Sequence, residues 1–223
     1  MFAEAFEIIW QYREGFLTGL WVTLELSAII WIVGITGGTA LGWAAARHPQ
    51  NWGKFVRLVA FILGGLPILV LLFWLHYPAQ AIFQVVIDPF ITAAFTFTLV
   101  NIFAVASLVR EAIADFPGEY ITAARVCGLS ARQTLFKIQL PIILRQILPG
   151  LLMSQVVMLH TTLFASLISV EEIFRVAQRI NASIYKPVEI YTALGMFFLA
   201  ISLPVNGLAI YLKHKYTRNT SER

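Results

Sequence analysis

Five stretches of this 223-residue chain stay apolar for longer than the inside of a soluble domain requires: Leu17 to Ala46, Phe55 to His76, Pro89 to Val109, Ile147 to Ser169 and Val188 to Leu212. A buried core helix needs roughly ten apolar residues. Crossing a hydrocarbon layer about 30 Å thick takes about twenty in a helix. Composition agrees, because 59% of residues are hydrophobic and only 13% charged, whereas a soluble domain is about 25% charged. The chain is therefore predicted to be an all-α integral membrane protein of about five transmembrane helices, folded as one domain over residues 1–223. The first stretch exceeds what a bilayer needs, so it should tilt or project.

Lys and Arg are retained on the cytoplasmic side of a membrane, and acids carry little weight. Placing the N-terminus outside puts Arg47, Lys54, Arg57, Arg110, Arg125, Arg132, Lys137, Arg145, Lys213, Lys215, Arg218 and Arg223 inside, twelve of the sixteen basic residues. Arg13, Arg175, Arg179 and Lys186 stay outside. This predicts an external N-terminus and a cytoplasmic C-terminus. The net charge of +4 then reflects topology, and no extended basic patch points to nucleic acid. A single cysteine, Cys127, allows no disulfide and no thiolate metal cluster within the chain. The opening MFAEAFEIIWQYREG lacks the basic start of a signal peptide and is read as retained.

Gly34, Gly38 and Gly42 recur at spacing four, a face of small residues that lets another helix approach closely. Gly64, Gly65 and Pro67 together predict a kink in the second span, which either shapes a pathway or fits a neighbour. An odd number of spans without internal repeats argues against a self-contained secondary transporter.

The connection from about 110 to 146 is too long for a simple turn and too amphipathic for disorder. Pro117 and Gly118 start a short helix, and Gly128 suits a left-handed position at its end. Ser130 with Gln133 forms a capping box for a second short helix, expected to end before Pro141. The unit is read as a helix-turn-helix under the membrane. By physics alone it is either an interfacial anchor or a docking knob, and a DNA duplex could not reach it.

Ala123, Ala124, Gly128, Ile138, Leu140 and Pro141 match A-A-x3-G-x9-I-x-L-P, the coupling-loop pattern of binding-protein-dependent ABC permeases of type I importers, which this chain resembles. Thr122 stands where that family usually has Glu. GLWVTLELS (Gly19 to Ser27) and GGLPILVLLFWLHY (Gly64 to Tyr77) are similar to the polar amino acid branch, with Gly64 in place of the customary Arg. LHTTLFASLISVEEI (Leu159 to Ile173) resembles that branch's L-K-D-T-S-L-x-S-x-I-x-x-x-E-L. There His160 replaces Lys, Thr161 replaces Asp and Leu163 replaces Ser, while Thr162, Ser166, Ile168 and Glu172 fit.

The resemblance implies a permease subunit that translocates amino acids across a bacterial inner membrane. It would work with two ATP-binding subunits, a second permease subunit and a periplasmic binding protein. The chain has no G-x-x-x-x-G-K-S/T, so ATP and Mg would be bound by the ATPase partners. No catalytic residue and no metal site is predicted. Coupling is assigned to Thr122, Ala123, Ala124, Gly128, Ile138, Leu140 and Pro141. A substrate pathway draws on His160, Thr161, Thr162, Ser166 and Glu25, since ionisable groups within spans are functional candidates. External docking draws on a mixed surface of Asp88, Glu171, Glu172, Arg175 and Arg179. Rival readings are a permease for another solute, a channel or secondary transporter, or a membrane enzyme using His160 with Ser154 or Ser166.

Overall fold

The computed structural model describes the backbone of residues 2–221 and the side chains of residues 4–216. Arg218 and Arg223, counted above among the internal cations, lie outside the described side chains. Nine helices follow in order among the described residues: α1 (Phe2–Gln11), α2 (Arg13–Arg47), α3 (Trp52–Gly65), α4 (Ile68–Phe83), α5 (Pro89–Ala114), α6 (Gly118–Val126), α7 (Ala131–Ile168), α8 (Ile173–Ile184) and α9 (Pro187–Ser221). Four are long and apolar enough to cross a membrane, namely α2, α5, α7 and α9 over residues 187–216, and α3 with α4 meet the same measure only when taken together, as a broken span or a re-entrant loop.

The kink expected in the second apolar stretch is a full break, with α4 turned 96° from α3. Pro67 supplies no N–H and drives Leu66 into an extended conformation (φ −102°, ψ 128°), a geometry that no helix passes through. Beyond the break, α4 returns to α5 through a polar cluster. Gln80 Nε2 donates to Thr92 Oγ1 at 3.2 Å, and the Ile87 amide donates to Gln80 Oε1 at 2.8 Å. Asp88 then caps α5, accepting from the Phe90 amide at 2.8 Å, and Pro89 occupies the first turn where no donor is needed.

The second helix of the cytoplasmic connection does not end before Pro141, as the sequence suggested. It runs on without interruption into the fourth span, so α7 starts sixteen residues earlier than the predicted Ile147 and the non-helical connection shrinks. A π-helical turn at Leu135–Gln139 explains this. Widening the helix there moves the carbonyls that the Pro141 ring would otherwise strike, and the absent N–H falls in the first turn after it.

The glycine stripe packs as predicted. Gly34, Gly38 and Gly42 are all buried on the face of α2 that meets α5. A Cβ on Gly38 would lie 2.6 Å from Val105 Cβ and 2.7 Å from the Ile102 carbonyl, and one on Gly42 would lie 2.6 Å from the Ala106 carbonyl. The two backbones are thus closer than any side chain permits. At the N-terminal end of α2, Phe16, Ile173, Val176, Ile180, Ile190 and Leu194 form a core that joins α2, α8 and α9.

Gly38→Val should lower stability in detergent by about 2 kcal/mol, the usual scale for overpacking, as read by denaturant or thermal unfolding. Gly195→Ala, where nothing lies within 4 Å of the added carbon, should leave it unchanged.

Candidate coupling and pathway sites

Exposed aromatic rings mark the bilayer on two helices. Trp21 and Trp43, 70% and 48% exposed, are separated by about 33 Å of helical rise. Tyr191 and Tyr211 on α9 are separated by about 30 Å. Both spacings match the hydrocarbon thickness, with amphipathic rings at headgroup level. Arg47 lies over the Trp43 ring at 5.5 Å and Lys215 over Tyr211 at 5.9 Å, so the second ring of each pair sits at the cationic boundary.

The segment to which the sequence assigns coupling follows α5 in the chain. α6 ends where Gly128 adopts φ +75°, the left-handed conformation that favours glycine. Gly128 N donates to the Arg125 carbonyl and Leu129 N to the Ala124 carbonyl, each at 3.0 Å, closing the helix end. Ser130 then opens α7 with both bonds of the capping box: Gln133 N donates to Ser130 Oγ at 3.3 Å, and Ser130 N to Gln133 Oε1 at 2.9 Å. Thr122 and Ala123 face outward. Ala124 is buried within the chain, so of the two small residues only Ala123 is offered to a partner. Ile138 and Pro141 are half-buried and Leu140 exposed, along the π turn and the helix that follows it. The exposed face mixes Tyr120, Val126, Phe136 and Leu140 with Arg125, Arg132 and Lys137, a docking composition of apolar area edged by cations.

Four of the five expected pathway residues lie near the far end of α7, where the helix tightens into a 3-10 turn at Thr162–Ile168. His160 is exposed, its ring edge-on to Phe198 at 6.0 Å. Thr161 Oγ1 donates to the Met158 carbonyl, Thr162 Oγ1 to Leu159 and Ser166 Oγ to Leu163, each at 2.7 Å. Thr162 and Ser166 are fully buried, which leaves His160 and Thr161 as the reachable polar groups. Glu25 is exposed on α2, one turn below Trp21, among Leu24, Ala28, Ile29, Ile32 and Val33. Among the described residues no hydrogen bond or ion pair joins it to His160. The imagined enzyme dyad does not form, since Ser154 and Ser166 donate to the carbonyls of Leu151 and Leu163. Among the described residues no three His, Cys, Asp or Glu side chains gather to hold a metal ion.

A second polar site contains no ionisable group. Asn101 on α5 and Gln155 on α7 are buried and hydrogen-bonded to each other, with Trp31 and the Ile30 carbonyl of α2 completing the group. Both amides stand out as rare polar letters within apolar spans, which is the signal that could have found them.

A family model described as the binding-protein-dependent transport system inner membrane component matches residues 38–218. The chain belongs to that family. Among its relatives, the glutamine transport system permease protein GlnP of Escherichia coli K12 is 29% identical over 212 residues, 93% of this chain and 95% of that protein. The L-cystine transport system permease protein TcyB of Bacillus subtilis 168 is 34% identical over 176 residues, 78% of this chain and 72% of that protein. In three dimensions the chain is similar to one chain of a crystal structure of an amino acid ABC transporter with histidines. The TM-score is 0.82 at 21% identity, covering 94% of this chain and 98% of that one.

One member of the expected docking surface of this inner membrane component is not on its surface. Glu172 is 0% exposed and caps α8, accepting from Arg175 N at 2.8 Å and Phe174 N at 2.9 Å. The neighbouring Ile173 amide donates to Thr23 Oγ1 of α2 at 3.1 Å. Helix capping, which sequence alone did not suggest here, draws the side chain inward. Asp88 is likewise a cap. Glu171 pairs with Arg179 at 2.6 Å on the surface, where such a pair contributes little.

Burial raises the Glu172 carboxyl from its ordinary 4.5 to about 7, against the two backbone amides that favour its charged form, with Glu171 adding to the rise. The folded chain therefore holds this proton more tightly than the unfolded one. Its contribution is most favourable below about pH 4.5 and is lost as pH rises to about 7. Glu172→Gln, which keeps an acceptor for the cap without the charge, should remove this dependence. The check is the difference between the wild-type and Glu172→Gln melting temperatures across that window.

Proposed function

We propose that this chain is the membrane-spanning permease subunit of an ATP-driven importer of amino acids in a bacterial inner membrane. The observation that carries the reading is the coupling turn, in which Gly128 at positive φ and the Ser130–Gln133 capping box hold an outward-facing α6 beside the start of a span. Near-full-length similarity to permeases named for glutamine and, over most of the chain, for cystine supports the substrate class. ATP is hydrolysed by separate ATPase subunits. Two of them bind ATP and Mg, and each receives one coupling segment. A binding protein delivers the amino acid to the opposite face. The N-terminus is external and the C-terminus cytoplasmic, which places the coupling segment with the ATPases.

A zwitterion crossing hydrocarbon needs partners for both its charges. At the pathway end this chain offers His160, a weaker carboxylate partner than Lys, and a neutral Thr161 that cannot balance an ammonium. The second permease subunit is therefore a related but different chain that supplies the charged half-site. This chain completes the pathway and couples it to ATP.

Expressed with its ATPase and binding protein alone, the chain should give little ATP-dependent uptake of labelled amino acids in vesicles, and adding the second permease should restore it. Full uptake without the second permease would refute the heterodimer; no uptake in either arm would refute the importer reading. Gly128→Val in the active complex should depress uptake while membrane insertion stays normal, because a β-branched residue is strained at positive φ. A reporter active only outside the cell should work when fused at Asp88 and fail at Arg132, and the reverse pattern would overturn the orientation.

A further inference from the structure

We propose that the Asn101–Gln155 amide pair is the pivot on which α7 turns, converting movement of the coupling end into opposite movement of the pathway end. The proposal rests on the importer reading for its biological meaning, and its geometry stands apart from it. α7 is the one helix that carries both regions, from Ala131 beside the coupling turn to His160 and Thr161 near its other end. Among the described residues, every hydrogen bond between α7 and another helix passes through Gln155. Its side chain pairs reciprocally with Asn101, Asn101 Nδ2 donating to Gln155 Oε1 at 2.9 Å and Gln155 Nε2 to Asn101 Oδ1 at 3.3 Å. Its backbone carbonyl accepts from Trp31 Nε1 at 3.0 Å.

Asn101 Nδ2 also donates to the Ile30 carbonyl of α2 at 2.9 Å, and Gln155 Nε2 reaches Ser154 Oγ at 3.0 Å. One point of α7 is thereby tied to both α2 and α5. Residues 30 and 31 lie near the middle of the Trp21 to Trp43 interval, so the tie sits near mid-bilayer. There an amide that lets go finds no water and stays unsatisfied. Away from that point α7 packs on neighbouring helices through apolar side chains such as Ile143, Ile147 and Met158 and through the edge of the His160 ring on Phe198, and apolar surfaces slide past one another or trade places with lipid at small cost. A helix held at one polar point and free to slide elsewhere pivots at that point. The site is also shaped for the pair, because the Asn101 side chain occupies the space where any side chain on Gly34 would go.

Spin labels on a Cys127→Ser background test this in the assembled complex, with and without ATP. One pair, Arg145→Cys with Trp43→Cys, reports the inner arm. The other, Leu167→Cys with Trp21→Cys, reports the outer arm. The two arms extend about 15 and 21 Å from Gln155, so ATP should change the two distances by similar amounts in opposite directions. In Asn101→Leu/Gln155→Met, which keeps volume without the hydrogen bonds, the inner change should persist. The outer change should fall about threefold or more, the scale of losing one such bond in a membrane, and ATP hydrolysed per amino acid imported should rise by a similar factor. Outer and inner changes that stay matched in this variant would overturn the pivot and leave the pair as packing alone. Should the double variant not assemble, Gly34→Ala, which displaces Asn101, should uncouple the arms. Gly37→Ala, whose added carbon would sit 3.4 Å from Ile102, should not, and equal behaviour of the two would overturn the proposal. ATP-driven distance changes without amino acid uptake would count against the substrate class and leave the pivot standing.

Discussion

The close approach of α2 to α5 is the contact on which the rest of the bundle is built. In a bilayer there is little hydrophobic gain from bringing two apolar helices together, so association depends on dispersion at short range and on hydrogen bonds. Gly34, Gly38 and Gly42 supply the first by removing every side chain from the contact line. They permit the second as well, since only at that separation does the Asn101 amide reach the Ile30 carbonyl. A larger residue in the stripe would separate the helices and strand a buried amide, two penalties from one change.

From that pair the remaining elements take their places. α7 joins through Gln155, and its two ends carry the two regions of functional interest. α8 lies across the N-terminal part of α2, held by the Ile173 amide on Thr23 and by its own buried cap at Glu172. The broken α3–α4 span answers to a different constraint. Pro67 ends one helix, and the second is returned to the bundle by Gln80 and Thr92. These polar contacts are few, and each links segments that apolar packing alone would leave without a fixed register.

Much of the turn between α6 and α7 was legible because its determinants are local. The left-handed Gly128, the capping box from Ser130 to Gln133 and the helix start after Pro117 each depend on residues within a few positions of one another. The end assigned before Pro141 failed for a local reason too: a π turn is an uncommon way of accommodating proline, and nothing in the letters announces it. The candidate pathway residues were legible only in part. Thr162 and Ser166 are polar in sequence, yet their hydroxyls bond to their own helix and are buried. Glu172 reads as a surface charge and is a buried cap.

The sequence by itself determined the membrane class, the apolar stretches that become the long helices, the glycine stripe and the turn at Gly128. Hydrophobic run length, spacing along a helix and turn chemistry act over short distances, and they mean the same thing in any fold. Only the tertiary structure decided that Asn101 pairs with Gln155, that Glu172 turns inward, that the second span breaks by 96° and that α7 is one continuous helix. Asn101 and Gln155 are 54 positions apart, and the one bond either amide makes within its own helix turn, Gln155 to Ser154, gives no sign of the distant partner. A polar group in hydrocarbon must be satisfied somewhere, but which distant partner satisfies it depends on how the helices are brought together.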